Sequence, residues 1–311
     1  MSWSLGNIAV VGSGAIGLYY GGRLAAAGEK VKFLARSGYD ALAQDGLTAE
    51  SIHGNFQLDK LQVFRTAQEI GAVDLVLITT KTQANSSLHL LLPPLLHEKT
   101  LVMTMQNGLG NCETLTDFVD ADRVLGALCF VCINRTQANH IVHSGAGRVA
   151  FGPWENACEQ ALACVQQRFS QAGILCKRVD DLARAQWEKL VWNIPFNGLS
   201  IIHGGVTTDF LLENVRWREE VRELMAEVIA GAQAQGIALD ERLIEQNLLG
   251  TVPMGAYRTS SMIDFLAGRP IELGAIWEEP LRRALLAGAK MPRLQALVDE
   301  LKHLQAGKNS D

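Results

Sequence analysis

Ile8-Ala9-Val10-Val11-Gly12-Ser13-Gly14-Ala15-Ile16-Gly17 decides the fold. The first four residues read as a buried strand, and the apolar pattern from Ile16 to Ala27 reads as a helix. A bare G-x-G-x-x-G is a weak signal. Set between a strand and a helix it is a strong one. Gly12 permits a tight turn, Gly14 lets the backbone approach a pyrophosphate, and Gly17 lets the helix pack close to the strand. Ser13, Ala15 and Ile16 complete the loop and open the helix, whose unpaired N–H groups and positive end attract an anion. The expectation is a dinucleotide site at Gly12, Ser13, Gly14, Ala15, Ile16 and Gly17.

Working outward, Lys30–Ala35, Leu47–Ile52 and Leu61–Phe64 read as strands. Asp74–Thr80 and Thr100–Met105 are near-continuous apolar runs, as expected for parallel strands covered on both faces. A helix-like stretch with Pro93-Pro94 near its end separates these two runs. Val124–Ile133 is a further strand. His140–Phe151 reads as a strand pair turning at Gly145 and Gly147, Ala157–Ala172 as a helix and Leu175–Val179 as the last strand. Strands alternating with helices imply right-handed β-α-β units. After Asp180-Asp181 only helical periods remain. Val221, Leu224, Met225, Val228, Ile229 and Ala232 recur at three and four, with Gly236 as a C-cap. Further helices fit Asp240–Leu249, Ser260–Ala267, Leu273–Ala287 and Pro292–Leu304. The fold class expected is an α/β Rossmann-type nucleotide-binding domain (1–181) followed by an all-α helical domain (182–311), with the active site between them.

Composition agrees with that class. The chain has 311 residues, 48% hydrophobic and 20% charged, with a formal net charge of −5. That size suits about two domains. No basic stripe suggests nucleic acid. No apolar run reaches the roughly 20 residues that span a bilayer, and the first strand begins too early for a signal peptide. A cytoplasmic enzyme with reduced thiols is expected. Cys129 and Cys132 form a C-x-x-C, but residues three apart on a strand face opposite ways, and no metal-ligand constellation emerges.

The candidate chemistry lies elsewhere. Arg36, at the end of the second strand, suits the extra phosphate of NADP, where an acid would suit NAD. Lys81 and Asn107 follow two parallel strands, at the ends where ligands bind. Asn-Gly is also a common turn pair. Lys189, Asn193 and Asn197 stand four apart and line one helix face among apolar neighbours. Burial there lowers a lysine's pKa and suits a proton donor. Pro195 removes a helical hydrogen bond and kinks the helix. Ser260 suits an N-cap, and Glu272 a first helical turn.

Taken together, Gly12–Gly17, Lys81, Gln106-Asn107-Gly108, Lys189/Asn193/Asn197, Ser260-Ser261-Met262 and the Glu272 region resemble the ketopantoate reductase (2-dehydropantoate 2-reductase) family. The resemblance covers nearly the whole chain. It implies NADPH-dependent reduction of 2-dehydropantoate to (R)-pantoate in pantothenate and coenzyme A synthesis. In that reading Lys189 is the general acid, and Asn193, Asn197 and Ser261 hold the substrate's hydroxyl and carboxylate. Glu272, a second catalytic residue, sits at the junction of cofactor and substrate, Lys81 contacts the cofactor, and Asn107 contacts both cofactor and substrate. The family pattern often has a proline after the second asparagine, where this chain has Gly198. Some members carry an asparagine where Thr207 stands here, and another has one near the serine pair, where this chain has Arg258. Those departures bear on substrate fit. The alternatives are a reductase of another 2-keto acid, a β-hydroxyacid dehydrogenase, and a non-catalytic NADPH-binding sensor. The apolar helical domain suggests a homodimer.

Overall fold

A computed structural model describes residues 5–308. They form two units. The first comprises the residues up to Gln106 and Asn111–Leu182. The second comprises Asn107–Gly110 and everything from Ala183 onward.

The first unit is built on one mixed sheet of ten strands. They are β1 Asn7–Val11, β2 Lys30–Leu34, β3 Leu47–Ser51, β4 Phe56–Leu58, β5 Gln62–Phe64, β6 Leu75–Ile78, β7 Leu101–Thr104, β8 Val124–Gln137, β9 His140–Pro153 and β10 Cys176–Arg178. The order is β4-β3-β9-β8-β7-β6-β1-β2-β5, with β10 also on β9. From β5 to β8 every pairing is parallel, and β8 and β9 then pair antiparallel. Ile8, Ala9, Val10 and all of β6 and β7 are buried because helices cover both faces. The unit's helices are α1 Ala15–Ala26, α2 Tyr39–Asp45, α3 Ala67–Ile70, α4 Leu88–Leu91, α5 Asn111–Leu115 and α6 Glu159–Gln171. β2 and β6 flank β1 on opposite sides, so its carboxyl end is a topological switch point where α/β sheets bind ligands. Cys176 is buried beside β9, and burial pushes its thiol up to about 12, so it behaves as a small apolar filler.

Two local readings are corrected. His140–Phe151 is not a strand pair but part of the single long strand β9, and the chain reverses at 138–139 instead. Gly145 and Gly147 lie within β9 beside two register shifts with β8, between Cys132 and Ile133 and between Phe130 and Val131 respectively, and Gly147 has φ +112°. A Cβ there would stand 3.0 Å from the Tyr19 hydroxyl, so glycine serves an irregular, closely packed strand and not a turn. The stretch before β7 is broken into short pieces, with a 3-10 turn at Thr82–Ser87, then α4, then Pro93–Leu95.

The second unit contains helices and no strand among its described residues. It contains α7 Leu182–Ile202, α8 Thr208–Glu213, α9 Val215–Ala234, α10 Arg242–Thr251, α11 Ser260–Leu266, α12 Glu279–Leu286 and α13 Pro292–Lys308, with a π-helical segment at Gly274–Glu278. Val221, Leu224, Met225, Val228, Ile229 and Ala232 of α9 are all buried, in one core with Leu190, Val191 and Ile194 of α7 and Leu294, Leu297, Val298 and Leu301 of α13 among others. Gly236, φ +80°, follows the end of α9 as its spacing predicts. Helix α7 runs through Pro195 without ending. No helix among the described residues is long and apolar enough to cross a membrane.

Candidate active site

In the first unit the glycine loop joins β1 to α1. Gly12 has φ +114°, and a Cβ there would lie 2.8 Å from the Thr80 amide nitrogen. At Gly17 a Cβ would overlap the Gly12 carbonyl oxygen. Both glycines are therefore required by the chain's own packing. Gly14 differs, since a Cβ there meets nothing within 4 Å. It is the N-cap of α1, has no side-chain cap, and α1 carries no acidic residue in its first turn. Open space in front of uncapped N–H groups suits a pyrophosphate. Ala15 and Ile16 form the first turn of α1. Ser13 is buried, and its hydroxyl donates to the Ser37 carbonyl at 3.3 Å. The Thr79 hydroxyl donates to the Gly12 carbonyl at 2.7 Å and so pins the loop. Sequence reading missed Thr79, because its role depends on a contact 67 residues away.

Arg36 is exposed beyond the end of β2, and the nearby acid Asp40 is paired with Arg65 at 2.6 Å. Lys81 is exposed and begins the 3-10 turn after β6. Gln106 ties the ends of β6 and β7 together: its amide nitrogen donates to the Thr80 carbonyl at 3.0 Å and to Asn85 Oδ1 at 2.8 Å.

In the second unit α7 presents Lys189, Asn193 and Asn197 four residues apart. Lys189 is half-buried, and its Nζ donates to Asn107 Oδ1 at 2.9 Å. Asn193 and Asn197 are buried. The Asn107 segment docks on the π-helical segment, with the Leu109 N–H donating to the Ala275 carbonyl at 2.9 Å. Glu272, buried at 4% exposure, stands just before that segment, and a π-turn often marks a functional site. The buried Trp277 indole donates to the Ile194 carbonyl at 3.0 Å. A Cβ at Gly198 would lie 3.1 Å from that indole nitrogen and 2.7 Å from Leu297. Gly198 therefore leaves room for Trp277, which gives the departure from proline a packing reason.

Asn197 has a committed amide. Its Oδ1 accepts from the Ser261 N–H at 3.1 Å, and its Nδ2 donates to the Asn193 carbonyl at 3.0 Å. Ser260 is not the N-cap of α11. Thr259 holds that position with no side-chain cap bond, and its buried hydroxyl has no partner. The cap is supplied from α7 by Asn197, which satisfies one of the helix's leading N–H groups. This fixes Ser261, itself buried. Asn197→Ala is expected to remove about 1–3 kcal/mol of stability by stranding the Ser261 N–H. Urea unfolding checks it. Unchanged stability with a raised KM would mean that Asn197 binds substrate only. Thr207 opens α8 and Arg258 is exposed beside the Thr259 turn.

The family model described as ketopantoate reductase PanE/ApbA matches residues 8–156, and that of its C terminal matches residues 181–305. The 2-dehydropantoate 2-reductase of Nostoc sp. is 36% identical over 306 residues, covering 97% of this chain and 95% of the relative. The crystal structure of 2-dehydropantoate 2-reductase from Geobacter metallireducens superposes with a TM-score of 0.93 at 43% identity, covering 96% of this chain and 99% of that one. The corresponding Methylococcus capsulatus structure gives a TM-score of 0.87 at 30% identity, covering 97% of each chain. By both sequence and fold, the chain belongs to the ketopantoate reductase family.

Proposed function

We propose that this chain is a cytoplasmic oxidoreductase that reduces 2-dehydropantoate to (R)-pantoate with NADPH, and that Lys189 is its general acid. The observation that carries the reading is the 2.9 Å bond from Lys189 to Asn107 on a helix face of buried amides, in a chain of this family. The glycine loop fits a pyrophosphate, as Gly14 indicates. Arg36, with Asp40 taken up by Arg65, favours the 2′-phosphate of NADPH over the free ribose of NADH. When bound, the nicotinamide supplies hydride to the ketone carbon.

The chain's residues handle the oxygen. Charge develops on it as the carbonyl is reduced, and a fixed ammonium stabilises that charge before giving up a proton. Asn107 holds the Lys189 ammonium and so aims it. Asn193 and Ser261 bind the substrate's hydroxyl and carboxylate, Asn197 holds Ser261 in place, and Glu272 is the buried carboxylate of the set. Lys81 is a cofactor contact. Phe210, Val215, Leu249 and Val252 are exposed apolar side chains on the helical unit and support assembly as a homodimer.

The test follows NADPH absorbance with purified protein, 2-dehydropantoate and a panel of other 2-keto acids, with NADH in parallel. Fast oxidation of NADPH with 2-dehydropantoate is expected. Preference for a larger or more acidic keto acid would keep the mechanism and move the substrate, for which the exposed Arg258 is the available cation. Tight NADPH binding without turnover on any of them would sink the enzymatic reading.

A further inference from the structure

Arg135, near the end of β8, has no part in the reading so far. Its guanidinium lies against the loop that follows Arg36. Nη2 donates to the Ser37 carbonyl at 3.2 Å and to the Ala138 carbonyl at 2.6 Å, and Nε donates to the carbonyls of Gln137 and Ala138. A Cβ on Gly38, φ +82°, would overlap Nη2, so glycine there makes room for the guanidinium. The register with β9 shifts between Arg135 and Gln137, and such a bulge re-aims a side chain. The Ser37 carbonyl also accepts from Ser13 of the glycine loop. Arg135 and the cofactor loop thus grip the same carbonyl group.

The charge balance is unusual. Among the described residues every hydrogen bond from Arg135 goes to a neutral carbonyl, and none uses Nη1. Among the described residues no carboxylate pairs with Arg135 or Arg36, and Asp40 belongs to Arg65. Burial pushes the Arg135 pKa down, which marks a cation short of compensation. A half-buried guanidinium bonded to the residue that follows Arg36, with Nη1 to spare, is suited to an anion that accepts through several oxygens.

We propose that Arg135 is a second determinant of cofactor choice, recognising together with Arg36 the 2′-phosphate of the adenosine ribose. This rests on the NADPH reading above. It gives the β8–β9 hairpin a role in specificity beyond the strand that carries Arg36.

The test is titration of NADPH and NADH into the full chain and into Arg135→Gln, Arg135→Lys and Arg36→Gln, read by ligand fluorescence, with thermal unfolding alongside. Loss of a charged hydrogen bond predicts that Arg135→Gln weakens NADPH about 10- to 100-fold and leaves NADH nearly unchanged. Arg135→Lys keeps the charge without the planar fork and should fall between. If Arg135→Gln unfolds, the lysine variant alone decides, because a purely structural arginine would lose both cofactors equally. Equal weakening of NADPH and NADH, or no change in either, overturns the inference. A wild-type preference for NADPH that Arg135→Gln leaves undiminished sinks this inference alone. A wild-type chain with no preference sinks the NADPH reading, and the phosphate role with it.

Discussion

Lys189→Ala should lower kcat by about a hundredfold to ten-thousandfold, the usual contribution of a positioned general acid. NADPH affinity should hardly change, since the proposed pyrophosphate site is at Gly12–Gly17. The fold should tolerate the change, because Lys189 is half-buried and the bond from its Nζ to Asn107 is between side chains. A lost bond of that kind costs about 1 kcal/mol. Activity and stability therefore separate cleanly. Steady-state rates of NADPH oxidation, direct cofactor titration and thermal unfolding of the same preparation measure all three. Lys189→Arg should not restore the rate, because a guanidinium stays protonated and is a poor acid at neutral pH. Asn107→Ala should be milder, leaving the ammonium present but unaimed. Loss of only a few-fold on Lys189→Ala would remove the general-acid assignment, and the reduction would then need another proton source.

What the sequence makes legible follows from where the information is local. The Gly12–Gly17 loop is readable because turn, close approach and helix start are all encoded within ten residues. The runs ending at Ile78 and Thr104 are readable because a parallel strand covered on both faces must be apolar throughout. Spacing alone puts Lys189, Asn193 and Asn197 on one face of α7. The rest depends on distant partners. Asn197 caps α11 from 64 residues away, so Ser260 is mistaken for the cap. Thr79 and Arg135 act through backbone carbonyls that no local pattern announces. Gly145 and Gly147 signal irregular backbone, yet whether that is a turn or a bulge depends on β8 beside them. Trp277, against Gly198 and the Ile194 carbonyl, is a contact only packing reveals.

Gly14→Ala and Gly17→Ala should fail in opposite ways, although each adds a single methyl group to the same loop. A Cβ on Gly17 would overlap the Gly12 carbonyl oxygen and stand 2.5 Å from the Thr79 hydroxyl, both fixed parts of the protein. Backbone must move, and the expected loss is about 3 kcal/mol of stability, with cofactor binding lost as a consequence. At Gly14 the backbone has φ −76°, which alanine adopts without strain, and the new methyl meets no protein atom. Stability should fall by no more than about 1 kcal/mol, the usual cost of a poorer N-cap residue. The methyl would instead occupy space that a pyrophosphate needs, and an overpacking penalty of about 1–3 kcal/mol weakens NADPH by roughly tenfold to a hundredfold. Urea unfolding and cofactor titration of the two variants separate the cases. A Gly14→Ala chain that binds NADPH as tightly as the parent would show that the phosphates do not approach α1 there. A stable Gly17→Ala chain would show that β1 and α1 are less closely packed than the structure has them. The opposite failures together would establish that the open space before α1 exists for the cofactor and not for the fold.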